Sequence, residues 1–283
     1  MVQKKNESYS QNIKPFLRWA GGKNRLVKFL MEFIPSDFST DNTYYEPFLG
    51  AGNLFFRKKP KNAILSDLNK ELIESYQAIQ KHPELVHKYL DQHLSKTCKE
   101  YYYKKRDEYN NSKSSIKKAA LFIYLNKTSF NGIWRVNNKG EYNVPYGYKE
   151  PPSLPSKNEL LNISKSLENT ILSHKDYKES VNKADFGDFI YFDPPYPPLN
   201  GTSYFTHYTK DRFTKEDHSE LASLAKMLNE RGCLIMISNA DIPFIRSLYE
   251  ESFYIYDLKV TRWIRTDGKR YKVGEVIITN YRI

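Results

Sequence analysis

Asp193, Pro194, Pro195 and Tyr196 stand directly behind the apolar run "FIYF", and their order restricts what they can do. Two consecutive prolines fix φ and force an extended or turning path just past a strand end. The Asp193 carboxylate, the Pro194 carbonyl and the Tyr196 ring are thereby directed into one crevice. A carboxylate and a carbonyl together accept both hydrogens of an amino group, while a flat ring stacks on the planar system that carries it. Such an amine has its lone pair delocalised into its ring. Holding both hydrogens in acceptors favours the pyramidal nitrogen that can attack an electrophilic methyl group. A turn with a buried aspartate is the alternative, and four such residues in a row weigh against it.

Two glycine pairs add a binding loop to this chemistry. In "YEPFLGAGNLFF", Gly50 and Gly52 lie between a strand and a helix, where backbone can approach a ligand closely. Alone, such a pair reads first as a tight structural turn. The third glycine of a dinucleotide fingerprint is missing, however, and the next strand ends in "LSDLN", which puts Asp67 in reach of ribose hydroxyls. A nucleoside without a pyrophosphate fits better than a dinucleotide, and the chain contains no P-loop pattern. The second pair, in "FLRWAGGKNRL", precedes Lys23 at the start of a basic amphipathic helix. Lys23 there can meet a carboxylate and Trp19 a flat ring; a helix start with a buried tryptophan is an equal reading of the same residues.

These residues need a scaffold that brings several strand ends together. "TYYEPF" (43–48), "AILSD" (63–67), "FIYFD" (189–193), "CLIMIS" (233–238), "FYIYDLKV" (253–260) and "EVIITNY" (275–281) read as strands covered on both faces. "NRLVKFLMEFI", "KELIESYQAIQ", "KEDHSELASLAKMLNER" and "IPFIRSLYEE" read as helices, the third with a Thr214 cap, Asp217 at the capping-box position and Gly232 as its stop. This alternation predicts an α/β fold with a mostly parallel sheet. Residues 70 to about 150 differ, with consecutive Lys- and Tyr-rich helices ending in "WRVNNKGEYNVPYGY", where Asn137 to Gly140 signals a β-hairpin. They read as an inserted helical domain, with the Pro-rich "KEPPSLPSKN" as the return linker. The first dozen residues are expected to be flexible.

Composition limits the class of protein. At 283 residues with 40% hydrophobic and 15% aromatic content, the chain can bury one large core. No window approaches the roughly 18 apolar residues of a membrane span, and "MVQKKNESYSQN" lacks a signal peptide's apolar stretch, so a cytoplasmic location is expected. Cys98 and Cys233 have no ligand-like partners at metal spacing, so neither a disulfide framework nor a metal site is expected. The net charge of +11 is concentrated in blocks: +6 over residues 1–30, +6 over 91–150 and +5 over 259–283, against −1 over 31–90 and −5 over 151–258. Solvated surface lysines account for any one block; three together read as pieces of a polyanion-binding face for DNA or RNA.

The ordered set "RWAGGK", "EPFLGAGNLFF", "SDLN", "LNKTSFNGIWRVNNKGEYNVPYG", "YFDPPY" and "FTKEDHSELASLA" resembles the Dam-type DNA adenine N6-methyltransferases, the D12 class in the alpha group of amino methyltransferases, from Phe16 to about Tyr281. The resemblance implies a Rossmann-like sheet that uses S-adenosylmethionine, and a target adenine in a short duplex site, commonly GATC. It divides the chain into a catalytic domain at 13–69 and 156–283 and a target-recognition domain at 70–155. It implies that Trp19, Lys23, Asp67 and Asp193 contact the cofactor, that Phe48, Gly50 and Gly52 shape its pocket, and that Asp176 and Tyr177 lie near its adenine. Asp193 to Tyr196 become the catalytic tetrad, with Tyr196 stacked on a flipped base. In the hairpin domain the resemblance implies that Phe130 wedges into the base stack, Ile133 touches a thymine methyl and Arg135 reads a guanine edge. Arg18, Asn131, Pro145 and Tyr148 complete the DNA-binding set. Two positions depart from the family pattern: Arg18 stands where lysine is usual, and "YGYKEPP" is one residue short and lacks an arginine after its glycine. "LNGTSYF", residues 199–205, becomes a flap over the extruded base.

The resemblance also implies partners and a setting: double-stranded DNA, a cognate restriction endonuclease acting on the same site, no membrane, no metal, and action as a monomer. Two other readings remain at this stage. An RNA or protein-amide methyltransferase of the same fold is one, though such relatives often carry Asn in the first tetrad position and lack the hairpin domain. A catalytically silent DNA-binding relative is the other, against which stands the intact set of Trp19, Lys23, Asp67, Asp193 and Tyr196.

Overall fold

The computed structural model describes residues 13–36, 38–148, 152–197, 213–266 and 269–283, with the backbone alone for 259–273. The expected flexible segment at 1–12 and the expected flap at 199–205 lie outside the described residues. In chain order the elements are α1 (Val27–Glu32), β1 (Tyr44–Glu46), α2 (Asn53–Lys58), β2 (Ala63–Asp67), α3 (Lys70–Lys81), α4 (Pro83–Asp91), α5 (Lys99–Asn111), α6 (Ser115–Thr128), α7 (Lys157–Ser166), β3 (Thr170–His174), α8 (Tyr177–Ser180), β4 (Phe189–Phe192), α9 (Lys215–Glu230), β5 (Leu234–Ala240), α10 (Pro243–Tyr249), β6 (Tyr254–Thr266) and β7 (Lys269–Thr279).

The strands form one sheet in the order β3-β2-β1-β4-β5-β7-β6. The first five run parallel, and β7 enters antiparallel between β5 and β6. This is a Rossmann-like, doubly wound sheet whose winding reverses between β1 and β4, the point outside whose strand ends such folds bind ligands. The glycine loop leaves β1 and the Asp193 tetrad leaves β4 at that same point.

Successive strand residues point to opposite faces, and here both faces are buried. Tyr44, Leu65, Phe189, Tyr191, Met236 and Ile277 join a core shared with the helices before β3. Tyr45, Ile190, Phe192, Ile235, Ile237 and Ile278 face the opposite core with α9 and α10 residues such as Leu221 and Ile245. The expected caps form: Thr214 Oγ1 accepts from Asp217 N at 3.2 Å and Asp217 Oδ2 accepts from Thr214 N at 2.6 Å, closing the capping box of α9.

Two strand expectations need correction. The segment 170–174, "TILSH", is strand β3 and was not among the expected strands. It lies at the sheet edge, so Ile171 is exposed and no continuous apolar run marks it. Strands β6 and β7 also run on past the apolar runs that announced them, pairing as far as Thr266 with Lys269. Their outer ends are charge-rich, which hid the ladder.

Helix α6 is the axis of the helical layer, packed by α3, α4 and α5, and Ala119 to Asn126 are buried on every side. Helix α3 also lies on β2 and β3, so sheet and helices share a core. Beyond α6 the chain forms the expected hairpin, with antiparallel bridges Ser129 to Tyr146 and Val136 to Tyr142 around a turn at Asn137–Gly140. Its base is aromatic: the Trp134 ring lies 4.7 Å from Phe122 and 5.0 Å from Tyr142. Among the described residues, no helix is long and apolar enough to cross a membrane.

Candidate active site and nucleic-acid face

Asp193 sits one residue beyond β4, and two groups converge on it. Its Oδ1 receives the Lys23 ammonium in an ion pair with a lysine only 4% exposed, and also accepts the Ser238 hydroxyl at 2.8 Å. Ser238 comes from β5 and is itself bonded to the Tyr191 hydroxyl at 2.9 Å. Both contacts fall on Oδ1; among the described residues none falls on Oδ2. Lys23 also lies 4.7 Å from the centroid of the Tyr196 ring, covering one of its faces. The Tyr196 hydroxyl donates to Glu275 Oε2 at 3.1 Å. Pro194 is buried and Pro195 exposed, so the pair turns the chain from core to surface at the strand end.

A second group forms around the glycine loop. Gly50 and Gly52 hold φ of +47° and +64°, which L side chains rarely adopt. A Cβ at Gly50 would also come within 2.8 Å of Trp19 Cδ1, so the indole lies directly against the glycine backbone. Asp67 Oδ2 accepts from Gly50 N at 3.0 Å and its Oδ1 from Asn69 N at 2.9 Å. Burial raises the Asp67 carboxyl above its ordinary range, against the lowering effect of those two backbone N–H groups. Asp67, expected within reach of ribose hydroxyls, also shapes the loop through these two bonds, one to each oxygen. Lys23 Nζ donates to Gly21 O at 3.3 Å, so the segment from Trp19 to Lys23 joins the two groups.

A third group is aromatic. Phe48 stacks on Tyr177 at 5.4 Å and 25°, and Phe213 meets both rings edge-on, at 5.7 and 5.8 Å. Tyr177 begins α8, where Asp176 caps the helix by accepting from Lys178 N at 2.9 Å. The Tyr177 hydroxyl is buried and, among the described residues, lacks a hydrogen-bond partner; burial pushes it up to about 12. An unpaired hydroxyl on a stacked aromatic wall, beside a glycine loop and a strand-end carboxylate, fits a nucleoside cofactor.

Four residues of the site were not singled out in the sequence. Ser238 holds Asp193 and Tyr191 holds Ser238; Glu275 holds Tyr196. Glu46, at the end of β1, is only 3% exposed and accepts the Tyr44 hydroxyl at 2.7 Å. Burial raises its carboxyl to about 8, and the charge of Asp193 adds to the rise. The readable sign was a carboxylate inside an otherwise apolar strand, as in "YYEPF" and "EVIIT", because a buried charge is retained only with partners.

The second predicted set lies on the hairpin. Phe130 is 52% and Tyr148 73% exposed, and Asn131, Arg135 and Pro145 are exposed with them. Backbone bonds from Phe130 N to Pro145 O at 2.9 Å and from Asn143 N to Arg135 O at 3.2 Å hold the two sides together. Arg135 Nε donates to Asn143 Oδ1 at 2.7 Å, which fixes its guanidinium across the hairpin. Ile133 is half-buried. Arg18 joins this face through Asn126, which accepts from Arg18 N and donates to Arg18 O, both at 2.8 Å, and donates to Gly132 O at 3.1 Å.

Residues 19–264 match the family described as D12 class N6 adenine-specific DNA methyltransferase. A type II methyltransferase of Lactococcus lactis subsp. cremoris is 37% identical over 280 residues, covering 95% of this chain and 96% of that protein. One from Methanocaldococcus jannaschii is 38% identical over 288 residues, covering 95% and 99%. The DNA adenine methylase of Escherichia coli (strain K12) is 35% identical over 267 residues, covering 93% and 94%.

Proposed function

The chain belongs to the D12 class of N6 adenine-specific DNA methyltransferases, and from that membership we propose that its target is an adenine swung out of a short duplex site, GATC, into the crevice beside Asp193. It is an S-adenosylmethionine-dependent enzyme acting on DNA adenine. The observation that carries the finer reading is the clamp on Asp193, with Lys23 and Ser238 both on Oδ1.

That clamp leaves Oδ2 as an acceptor for one N6 hydrogen, with the Pro194 carbonyl taking the other. Tyr196 stacks on the base through the face that Lys23 does not cover. Extrusion is required because N6 is unreachable inside a stacked duplex. Trp19, Lys23, Phe48, Gly50, Gly52, Asp67, Asp176 and Tyr177 hold S-adenosylmethionine, which supplies an electrophilic methyl group when bound. Asp193 orients the amine, and the proton displaced from N6 passes to solvent. Residues 13–69 and 156–283 form the catalytic part and 70–155 the target-recognition part, with α3 packed against both. The setting is a restriction-modification or Dam-like one, the former with a cognate endonuclease at the same site; the enzyme acts in the cytoplasm as a monomer.

Methylation-sensitive sequencing of DNA from a host expressing the protein tests base and site together: N6-methyladenine confined to GATC is expected, and modification elsewhere overturns the site. The hairpin supplies the reading surface. Phe130 wedges into the stack, Ile133 meets a thymine methyl and Arg135 faces a guanine edge, flanked by Arg18, Asn131, Pro145 and Tyr148. Replacing Arg135 by alanine is expected to cost about 1 to 3 kcal/mol of discrimination at one base pair. Methylation rates on duplexes altered one pair at a time check this; an unchanged ranking contradicts the role.

A further inference from the structure

Glu275 is 1% exposed and lies inside β7, paired with Ala240 of β5 and Leu258 of β6. Its neighbours Val276, Ile277 and Ile278 are all fully buried. A carboxylate at such a position is costly unless it is hydrogen-bonded, and an apolar residue would serve the sheet better. Its Oε2 accepts from the Tyr196 hydroxyl at 3.1 Å. Tyr196 stands three residues beyond Asp193 on a chain leaving the sheet, so nothing in strand pairing fixes its ring. Lys23 lies over the ring face and Glu275 holds the hydroxyl, so the plane is defined at two points.

We infer that Glu275 is a positioning residue for methyl transfer: through the Tyr196 hydroxyl it sets the ring plane against which the extruded adenine stacks. The inference rests on Tyr196 being the stacking ring, proposed above. A ring free to swing still lets the base leave the duplex but holds its amine less well against Asp193. The loss therefore falls on kcat, because productive alignment is spoiled while the duplex is still gripped by the hairpin.

Four variants separate the possibilities on a duplex carrying the site found by sequencing. Glu275→Leu and Tyr196→Phe are each expected to lower kcat about tenfold with little change in KM for DNA. The Glu275→Leu/Tyr196→Phe double variant is expected to be no slower than either alone, since both remove one bond. Glu275→Gln keeps an acceptor and is expected within about twofold of the parent. With 2-aminopurine at the target position, Glu275→Leu should fluoresce more brightly than the parent complex, as the extruded base stacks less. Additive losses, or parental kcat in Tyr196→Phe, overturn the inference, and Tyr196→Phe removes only a hydroxyl, so folding is not in question there. Tyr196→Ala distinguishes the underlying reading: if it retains parental activity, the stacking role itself fails; if it is inactive while Tyr196→Phe is normal, only the Glu275 tether fails.

Discussion

Asp193→Ala is expected to lower methyl transfer about a thousandfold, the loss typical of removing a positioned acceptor from a reacting group. The substitution removes both the oxygen proposed to hold the N6 hydrogen and the partner of Lys23. Lys23 is only 4% exposed, so its ammonium would lose its carboxylate partner in the interior, and breaking a buried pair from one side costs about 3 to 5 kcal/mol. Stability and chemistry must therefore be read separately. The Lys23→Met/Asp193→Ala double variant removes the buried charge that has lost its counter-ion and is expected to regain much of the melting temperature without regaining activity. Labelled-methyl transfer and thermal melts on both proteins check this. Near-parental transfer by Asp193→Ala sinks the assignment, and activity that returns with stability in the double variant shows that the carboxylate served the fold alone.

Glu46→Gln is expected to stabilise the protein increasingly as pH rises. The Glu46 carboxyl ordinarily titrates near 4.5 but is raised to about 8 in the folded chain, mainly by burial and then by Asp193. Between those values the folded protein holds a proton that the unfolded chain has lost. Stability therefore falls as pH climbs from about 4.5 to about 8, by on the order of 5 kcal/mol if the whole shift is expressed. Below the window both states are protonated and above it neither is, so no further change arises from this group. Glutamine cannot ionise and escapes the loss. The melting temperatures of parent and variant should diverge steadily from pH 5 to pH 8 in favour of the variant; parallel profiles contradict a protonated Glu46.

Much of this molecule can be read before folding because the sheet is buried on both faces. Runs such as "FIYF" and "CLIMIS" have one explanation in a chain this long, and the glycine loop and tetrad that follow β1 and β4 fall together at the reversal of winding. What escaped was set by neighbours remote in sequence. β3 is an edge strand with one buried residue, Leu172, so its pattern has no apolar run. The outer part of the β6–β7 pair reads as a basic surface block, although "DG" at 267–268 was a turn signal inside it. Asp67 was legible as a strand-end acid, but not that Gly50 and Asn69 would claim both its oxygens. Ser238 and Glu275 become meaningful only when β5 and β7 stand beside β4, forty-five and more positions away along the chain. Pairing, not composition, makes them part of the site.

The core that runs unbroken from Phe16 through Tyr76 and Phe122 to Ile277 has an evolutionary corollary. Because α3 is packed by strands on one side and by α6 on the other, the helical layer cannot be excised and exchanged between relatives as a cassette without opening both halves. Changes of recognition sequence in such a chain are confined to what can vary without disturbing that interior. The residues proposed to read DNA, Phe130, Asn131, Arg135 and Pro145, lie outside it, exposed on the hairpin above Trp134 and Tyr142. With that proposal, single surface substitutions on the hairpin change specificity while the shared interior stays closed, whereas exchange of the whole helical layer would open it.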